Sequence, residues 1–292
     1  MQLETTGFKM GMNLDMPNDV YHSGTPGVSK SMLDKIAEGC PLKFWAAYID
    51  PEREPEKKTD ALILGDAIHT AALQPDIFGK QYLIMPDFNL RSPKGREARD
   101  KWLEEEAAGK QVLTIKQRDH ALQVAAALRR HPKASQLMGS NYTPEVSFFS
   151  RCRRTGVLKK CRTDLFDLNN GIVVDLKTTD DVSPTAFAKS VINFRYLVQE
   201  GWYRDVLDEA NGQEPELWIW LVVEKEYPHP VGIYQLDADD VEMGRQLGRR
   251  DLDRIIECQK TNLWPDYGDS GIQTITLPGW ARSSLGFTQE MF

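Results

Sequence analysis

The 292-residue chain is predicted to fold as an α/β protein: a mixed β-sheet core flanked by helices, with a helical N-terminal elaboration. Three observations carry that expectation. Capped helical segments fill much of the chain up to about residue 135. A β-rich stretch with a strong hairpin signal covers about 143–178, and one helical stretch separates it from two further strands at 217–224 and 230–236. Helices, a meander, a helix and then more strands is the order of a sheet with helices packed on its faces. One domain over 1–292 is expected, with a helical part at about 1–135, a sheet core at about 140–236 and a C-terminal helix and tail at 238–292.

Each element has its own signal. Val28 to Ile36 reads as a helix with Ser29 as N-cap and Gly39 at its end. Pro41 opens a second helix through Tyr48, because proline is tolerated in the first helical turn. Pro51 to Thr59 is charged and proline-containing, as loops are, and residues 60–74 follow as an apolar helix with Leu62, Ile63, Ile68, Ala72 and Leu73 on the core face. Pro86 to Gly95 is expected as a polar loop, followed by helices near 96–108 and 116–131. Helical residues 183–210 break near Asn193, a helix runs at about 238–260, and the tail from Trp264 shows little periodicity.

Composition narrows the class. Hydrophobic residues at 41% and charged residues at 27% fit an ordinary globular chain. No apolar run approaches the roughly 18 residues that span a bilayer. Met1 to Thr6 lacks the basic-then-apolar pattern of a secretory signal, so a cytoplasmic protein with no membrane partner is expected. Cys40, Cys152, Cys161 and Cys258 form no Cys-x-x-Cys pair, which argues against a zinc ribbon or a disulfide scaffold. The net charge of −7 argues against a general nucleic-acid coat protein, while leaving room for a local basic groove.

The densest signal lies at Lys160 to Thr179, where two β-rich segments flank Asn170-Gly171. A turn at that pair sets residue 164 opposite 177; a turn at Asn169-Asn170 sets 164 opposite 175. Either register leaves Asp164, Asp175 and Lys177 on one face, since strand side chains alternate. Two carboxylates beside an ammonium make a divalent-cation site with a positive group next to it, an arrangement suited to phosphodiester cleavage. Asp175 also ends the apolar run Ile172-Val173-Val174, where a charge is better explained by a site than by solvation.

Three other elements accompany it. His69 follows Gly65 by one helical turn and is a candidate metal ligand, and a glycine there predicts close approach by another backbone. Glu145 opens the strand before the hairpin and can ligate metal or orient water. Gln199 and Tyr203, four apart on a helix, can present an amide and a phenol to the site or to DNA. Arg151, Arg153, Arg154, Lys159, Lys160 and Arg162 form a candidate phosphate-tracking patch around the first hairpin strand, and Arg91, Lys94, Arg96 and Arg99 a second.

In this order and spacing, His69, Glu145, Asp164, Asp175-x-Lys177 and Gln199-x-x-x-Tyr203 resemble the PD-(D/E)xK nuclease superfamily in its RecB-like branch, most of all RecE-type exonuclease VIII of prophages. Ser29-Lys30-Ser31, Cys40-Pro41 and Leu277-Pro278-Gly279-Trp280 resemble that group's flanks, and Thr163 stands where the superfamily name has Pro. Some RecB-like relatives hold an iron–sulfur cluster on one early and three late cysteines. Only Cys258 is late here, so no such cluster is expected. The resemblance implies a restriction-endonuclease-like fold and a Mg²⁺-dependent exonuclease, with Mn²⁺ as a substitute. Asp164, Asp175, His69 and the Leu176 carbonyl would bind the metal, Glu145 and Lys177 would assist the chemistry, and Gln199 and Tyr203 would hold the strand or orient Lys177. It also implies double-stranded DNA ends as substrate, 5′ to 3′ digestion, a single-strand annealing partner, a trimeric or tetrameric ring, and a phage or prophage origin. An endonuclease and an inactive DNA-binding module of the same fold are the alternatives.

Overall fold

The computed structural model describes residues 8–23, 25–53, 59–107, 110–139, 141–269 and 271–284. Met1 to Thr6, the middle of the Pro51–Thr59 loop, the end of the helix expected at 96–108 and the tail beyond Ser284 lie outside the described residues.

A short strand β1 (Gly11–Asn13) and helix α1 (Asn18–Ser23) come first. Helices α2 (Lys30–Glu38) and α3 (Pro41–Tyr48) follow as expected. Ser29 takes the N-cap position of α2, but its hydroxyl pairs with Ser31 Oγ at 3.0 Å and does not cap the helix. In α4 (Asp60–Leu73) Thr59 caps the start and Ala67, Ile68, Ala71 and Ala72 are buried. Leu62 is 59% exposed and not a core residue. It stands about 120° around the helix from Ile68 at 3.6 residues per turn. Gly65 corrects a second expectation, because a Cβ built there meets nothing within 4 Å and no backbone approaches it.

Helix α5 (Pro75–Gln81) and the parallel pair β2 (Tyr82–Ile84) and β3 (Gln111–Leu113) are not expected from the sequence, the strands being too short to show periodicity. Between them α6 (Pro93–Glu105) begins inside the expected loop, because Ser92 accepts the Gly95 N–H and Pro93 fills the first turn. A capping box of Thr114 and Gln117 starts α7 (Ile115–Arg130), and α8 (Pro132–Leu137) follows. Then come β4 (Tyr142–Arg151), β5 (Leu158–Asp167), β6 (Ile172–Thr179), α9 (Pro184–Asn193), α10 (Tyr196–Asn211), β7 (Leu217–Glu224), β8 (Val231–Tyr234), α11 (Ala238–Thr261) and α12 (Gly279–Ser284).

Six strands form a mixed sheet in the order β1-β4-β5-β6-β7-β8. All neighbours are antiparallel except β6 and β7, which are parallel because α9 and α10 carry the chain back between them. The turn between β5 and β6 is longer than the expected two residues: Asp167 pairs with Ile172, and its carboxylate accepts the Asn169 and Asn170 N–H groups. Leu165 opposite Val174 continues to the register that sets Asp164 against Asp175.

Each face of the sheet carries a core. Leu33, Ile36, Phe44, Phe187, Val198, Trp202 and Leu252 cover one face against Val146, Phe148, Trp218 and Trp220. Ile68, Ala71, Leu113, Val124 and Leu128 cover the other against Val174, Leu176, Ile219 and Leu221. Strand β7 is therefore apolar on both sides, as a strand buried between two helical layers must be. No helix among the described residues is long and apolar enough to cross a membrane.

Helices α10 and α11 meet through glycines. A Cβ at Gly244 would lie 2.0 Å from the Leu197 carbonyl oxygen, and one at Gly201 2.6 Å from the Arg245 nitrogen. Gly244→Ala is expected to lower stability by about 1–3 kcal/mol or more, because a methyl cannot fit without prising the helices apart. Gly65→Ala, in open space within α4, should instead stabilise by roughly 0.5–1 kcal/mol. Urea denaturation of the two variants checks both signs.

Candidate active site

At one rung of the sheet the pleat turns over on two adjacent strands. On β5, Cys161 and Phe166 both line the first core although their positions differ by five, an odd offset. On β4, Val146 lies in that core while Tyr142 packs against the other. The pairing is unchanged across the break, with Pro144 opposite Leu165 and Val146 opposite Thr163. Between them Glu145 takes φ 57°, a left-handed conformation that costs a non-glycine residue about 1–3 kcal/mol and clusters at functional sites. The register of β5 against β6 sets Asp164 beside Asp175 across the neighbouring strand.

The side chains of β6 complete the centre. Asp175 is buried, and its carboxylate accepts from the Lys177 ammonium on one oxygen and from the Gln199 amide on the other. Asp164 accepts the Leu176 N–H at 2.8 Å and lies 3.5 Å from His69 Nδ1. His69 arrives from α4 on one face, and Gln199 from α10 on the other. The site thus lies where β5 and β6 part, between the two helical layers.

Burial and mutual repulsion set the electrostatics. Burial, then the charge of Asp164, pushes Asp175 up to about 6 despite Lys177. Burial and Asp164 likewise push Glu145 up to about 7, with Arg162 pulling the other way. Asp164 is raised by burial. Burial works against a charged Lys177, but Asp175 and Asp164 hold it above the ordinary lysine value. His69 is driven down to about 4 by burial and Lys177, which leaves its imidazole neutral.

Among the described residues no three His, Cys, Asp or Glu side chains stand close enough together to cage an ion. The donor chemistry nevertheless fits a hard divalent cation. The charge of Asp164 raises the proton affinity of both Asp175 and Glu145, as that of Asp175 does for Glu145, so carboxylates crowd the site, and the Leu176 backbone lies beside His69. Asp66 adds to this crowding: its charge acts on both Glu145 and His69. Its one signal in the sequence is its place three residues before His69 on the same helix face.

Other expected residues are placed elsewhere. Tyr203 lies behind the centre against Trp218, with ring centroids 5.6 Å apart and its hydroxyl raised well above the usual range by burial. Lys160 is turned inward and donates to the Tyr21 and Thr25 carbonyls at 2.9 and 2.8 Å. Arg162 binds Ser147, Asn18 and the Met16 carbonyl, and lies 3.6 Å from Glu145. Lys159 is buried against Glu209 at 2.9 Å, Arg153 and Arg154 pair with Asp208 and Asp253, and Arg151 donates to the Gly156 carbonyl. Most of the expected basic patch is thus engaged within the fold. Arg91, Lys94, Arg96 and Arg99 lie on α6 and the turn before it.

Comparison with known proteins agrees with this architecture. A crystal structure from Eubacterium rectale, described as a "Putative exonuclease", superposes with a TM-score of 0.62 at 13% identity, covering 93% of this chain and 98% of that one. That likeness shows the fold. The crystal structure of SSO0001 covers 65% of this chain and 85% of its own at 13% identity, but its TM-score of 0.29 carries no argument. No curated protein matches in sequence. Residues 29–274 match the model of the PDDEXK-like domain of unknown function (DUF3799), a span that contains every group of the centre just described, and the chain belongs to that family.

Proposed function

We propose that the protein is a metal-dependent deoxyribonuclease of RecE-like type that hydrolyses phosphodiester bonds from the ends of linear duplex DNA, 5′ to 3′, leaving 3′ single strands for an annealing partner. The observation that carries the hydrolytic part is the convergence of Asp164, Asp175 and Lys177 where β5 and β6 part, with His69 and Gln199 delivered from opposite helical layers. Action on ends is supported by the order of the motif residues in the sequence and by the exonuclease description of the E. rectale protein, whose length this chain matches almost throughout. A ring of three or four copies and a phage or prophage origin belong to the same reading.

Asp164, Asp175 and the Leu176 carbonyl would hold Mg²⁺, or Mn²⁺, with His69 as a further ligand. Bound there, the ion supplies neutralisation of phosphate charge and acidification of water. Glu145, with its raised proton affinity, is suited to orient the attacking water and accept its proton. Lys177 offers a positive donor to the oxygen on which charge develops. Gln199 fixes the Asp175 carboxylate, so that its second oxygen and Lys177 stay aligned.

Linear duplex is expected to be degraded in Mg²⁺ and spared in EDTA, while covalently closed circles survive in both. Linearised circles would favour an endonuclease, and binding without any cleavage an inactive module. Asp175→Ala should abolish cleavage while a gel-shift assay still detects DNA binding; cleavage by the purified variant would sink the metal assignment. Lys177→Ala should bind Mg²⁺ and DNA about as the parent does and cleave roughly 10²-fold more slowly, the scale of losing one oxyanion donor. Lys177→Arg should rescue only in part, since a planar guanidinium replaces a compact ammonium poorly. Calorimetric metal titration beside single-turnover digestion separates these roles; loss of metal and activity together would overturn the role given to Lys177.

A further inference from the structure

Three aromatic rings run outward from the centre. Trp220 is buried on β7, Tyr196 stacks on it with centroids 5.3 Å apart and planes at 25°, and Phe194 stacks on Tyr196 at 5.6 Å and 27°. The Lys177 ammonium lies along this column, 5.0 Å from the Tyr196 centroid and 5.3 Å from that of Trp220. The innermost ring is anchored, since Trp220 Nε1 donates to buried Glu200 at 3.0 Å. Its outermost ring is open: Phe194 is 59% exposed, beside Ile192 at 61%. Phe194, Tyr196, Lys177 and Ser190 line one cleft.

The turn that carries Phe194 is held rigidly. Its carbonyl accepts from Lys30 Nζ at 2.8 Å. Arg195 adopts φ 54°, and its guanidinium binds Asp34 at 3.1 Å and also buried Asp251. A strained residue locked by two carboxylates, with large apolar side chains beside it pointing to water, is the reverse of what stability alone favours.

We propose that Phe194 is a stacking platform for a nucleobase of the DNA substrate, so that an unpaired base at the strand end continues the ring column and sets its phosphate against Lys177. An aromatic face stacks on any base, so the platform would be indifferent to sequence. The proposal rests on the nuclease reading and deepens it.

The test uses duplexes with 2-aminopurine at an unpaired terminal position or in the interior, in Ca²⁺ to allow binding without turnover. The parent should quench the terminal probe and leave the interior one unchanged. Phe194→Ala should lose that quenching and bind the end about 5- to 150-fold more weakly, the range for loss of one base–aromatic stack. Phe194→Trp should retain both properties. Met243→Ala, which removes a 51% exposed side chain on α11, should behave as the parent. A parent that cleaves linear DNA while Phe194→Ala quenches and binds as it does overturns the platform alone; a parent that neither binds nor cleaves DNA overturns both readings.

Discussion

The structure is organised around one buried carboxylate. Asp175 is 1% exposed at the end of an apolar strand, where an isolated charge would be prohibitive. Its oxygens are therefore matched by Lys177, two residues along the same strand face, and by Gln199 from α10. Those partners need support in turn. Glu200, next to Gln199, is buried and satisfied by Trp220 Nε1 and by Arg204, both at 3.0 Å, and the Trp220 ring lies near the Lys177 ammonium. A buried polar network is rigid only when each member is paired, and this one links β6, β7 and α10 into a single unit.

That requirement explains the crossover between β6 and β7. A parallel pair needs a long connection, and here the connection itself brings Gln199 over Asp175. Positioning α10 depends on the left-handed residue Arg195 at its start and on the glycine contact with α11 at its middle. On the other side the β5–β6 register sets Asp164 against Asp175, and Glu145 stands where the pleat of β4 turns over. Backbone strain at Glu145 and Arg195 thus sits at the two ends of the centre.

The basic residues around β5 carry a different lesson. Lys159, Lys160 and Arg162 are inside the protein, where they fasten the segment around α1 and the end of α10 to the sheet. Their rings of contact are aromatic as well as ionic: Tyr21 lies 4.8 Å from Lys160 Nζ and 4.4 Å from the Arg162 guanidinium carbon. A cluster of positive charges in a sequence does not report which of them meet solvent, because neighbouring carboxylates and carbonyls far along the chain decide it.

The hairpin, the two apolar strands after it, the helix break at Asn193 and the set Asp164, Asp175, Lys177 were legible because each rests on local periodicity or turn chemistry. So was the helix start marked by Pro41. The short strands β1, β2 and β3 were not, since three residues carry no period and hydrogen-bond to partners distant in the chain. By itself the sequence determined where the hairpin and most of the longer helices lie and that Asp164, Asp175 and Lys177 share a face. Only the tertiary structure decided that Lys160 and Arg162 turn inward, that nothing crowds Gly65, that Asp66, Glu200 and Trp220 join the centre, and that Phe194 ends an aromatic column. The physical reason is that alternation and helical pitch are properties of neighbouring residues, whereas burial, charge pairing and ring stacking depend on segments that only folding brings together.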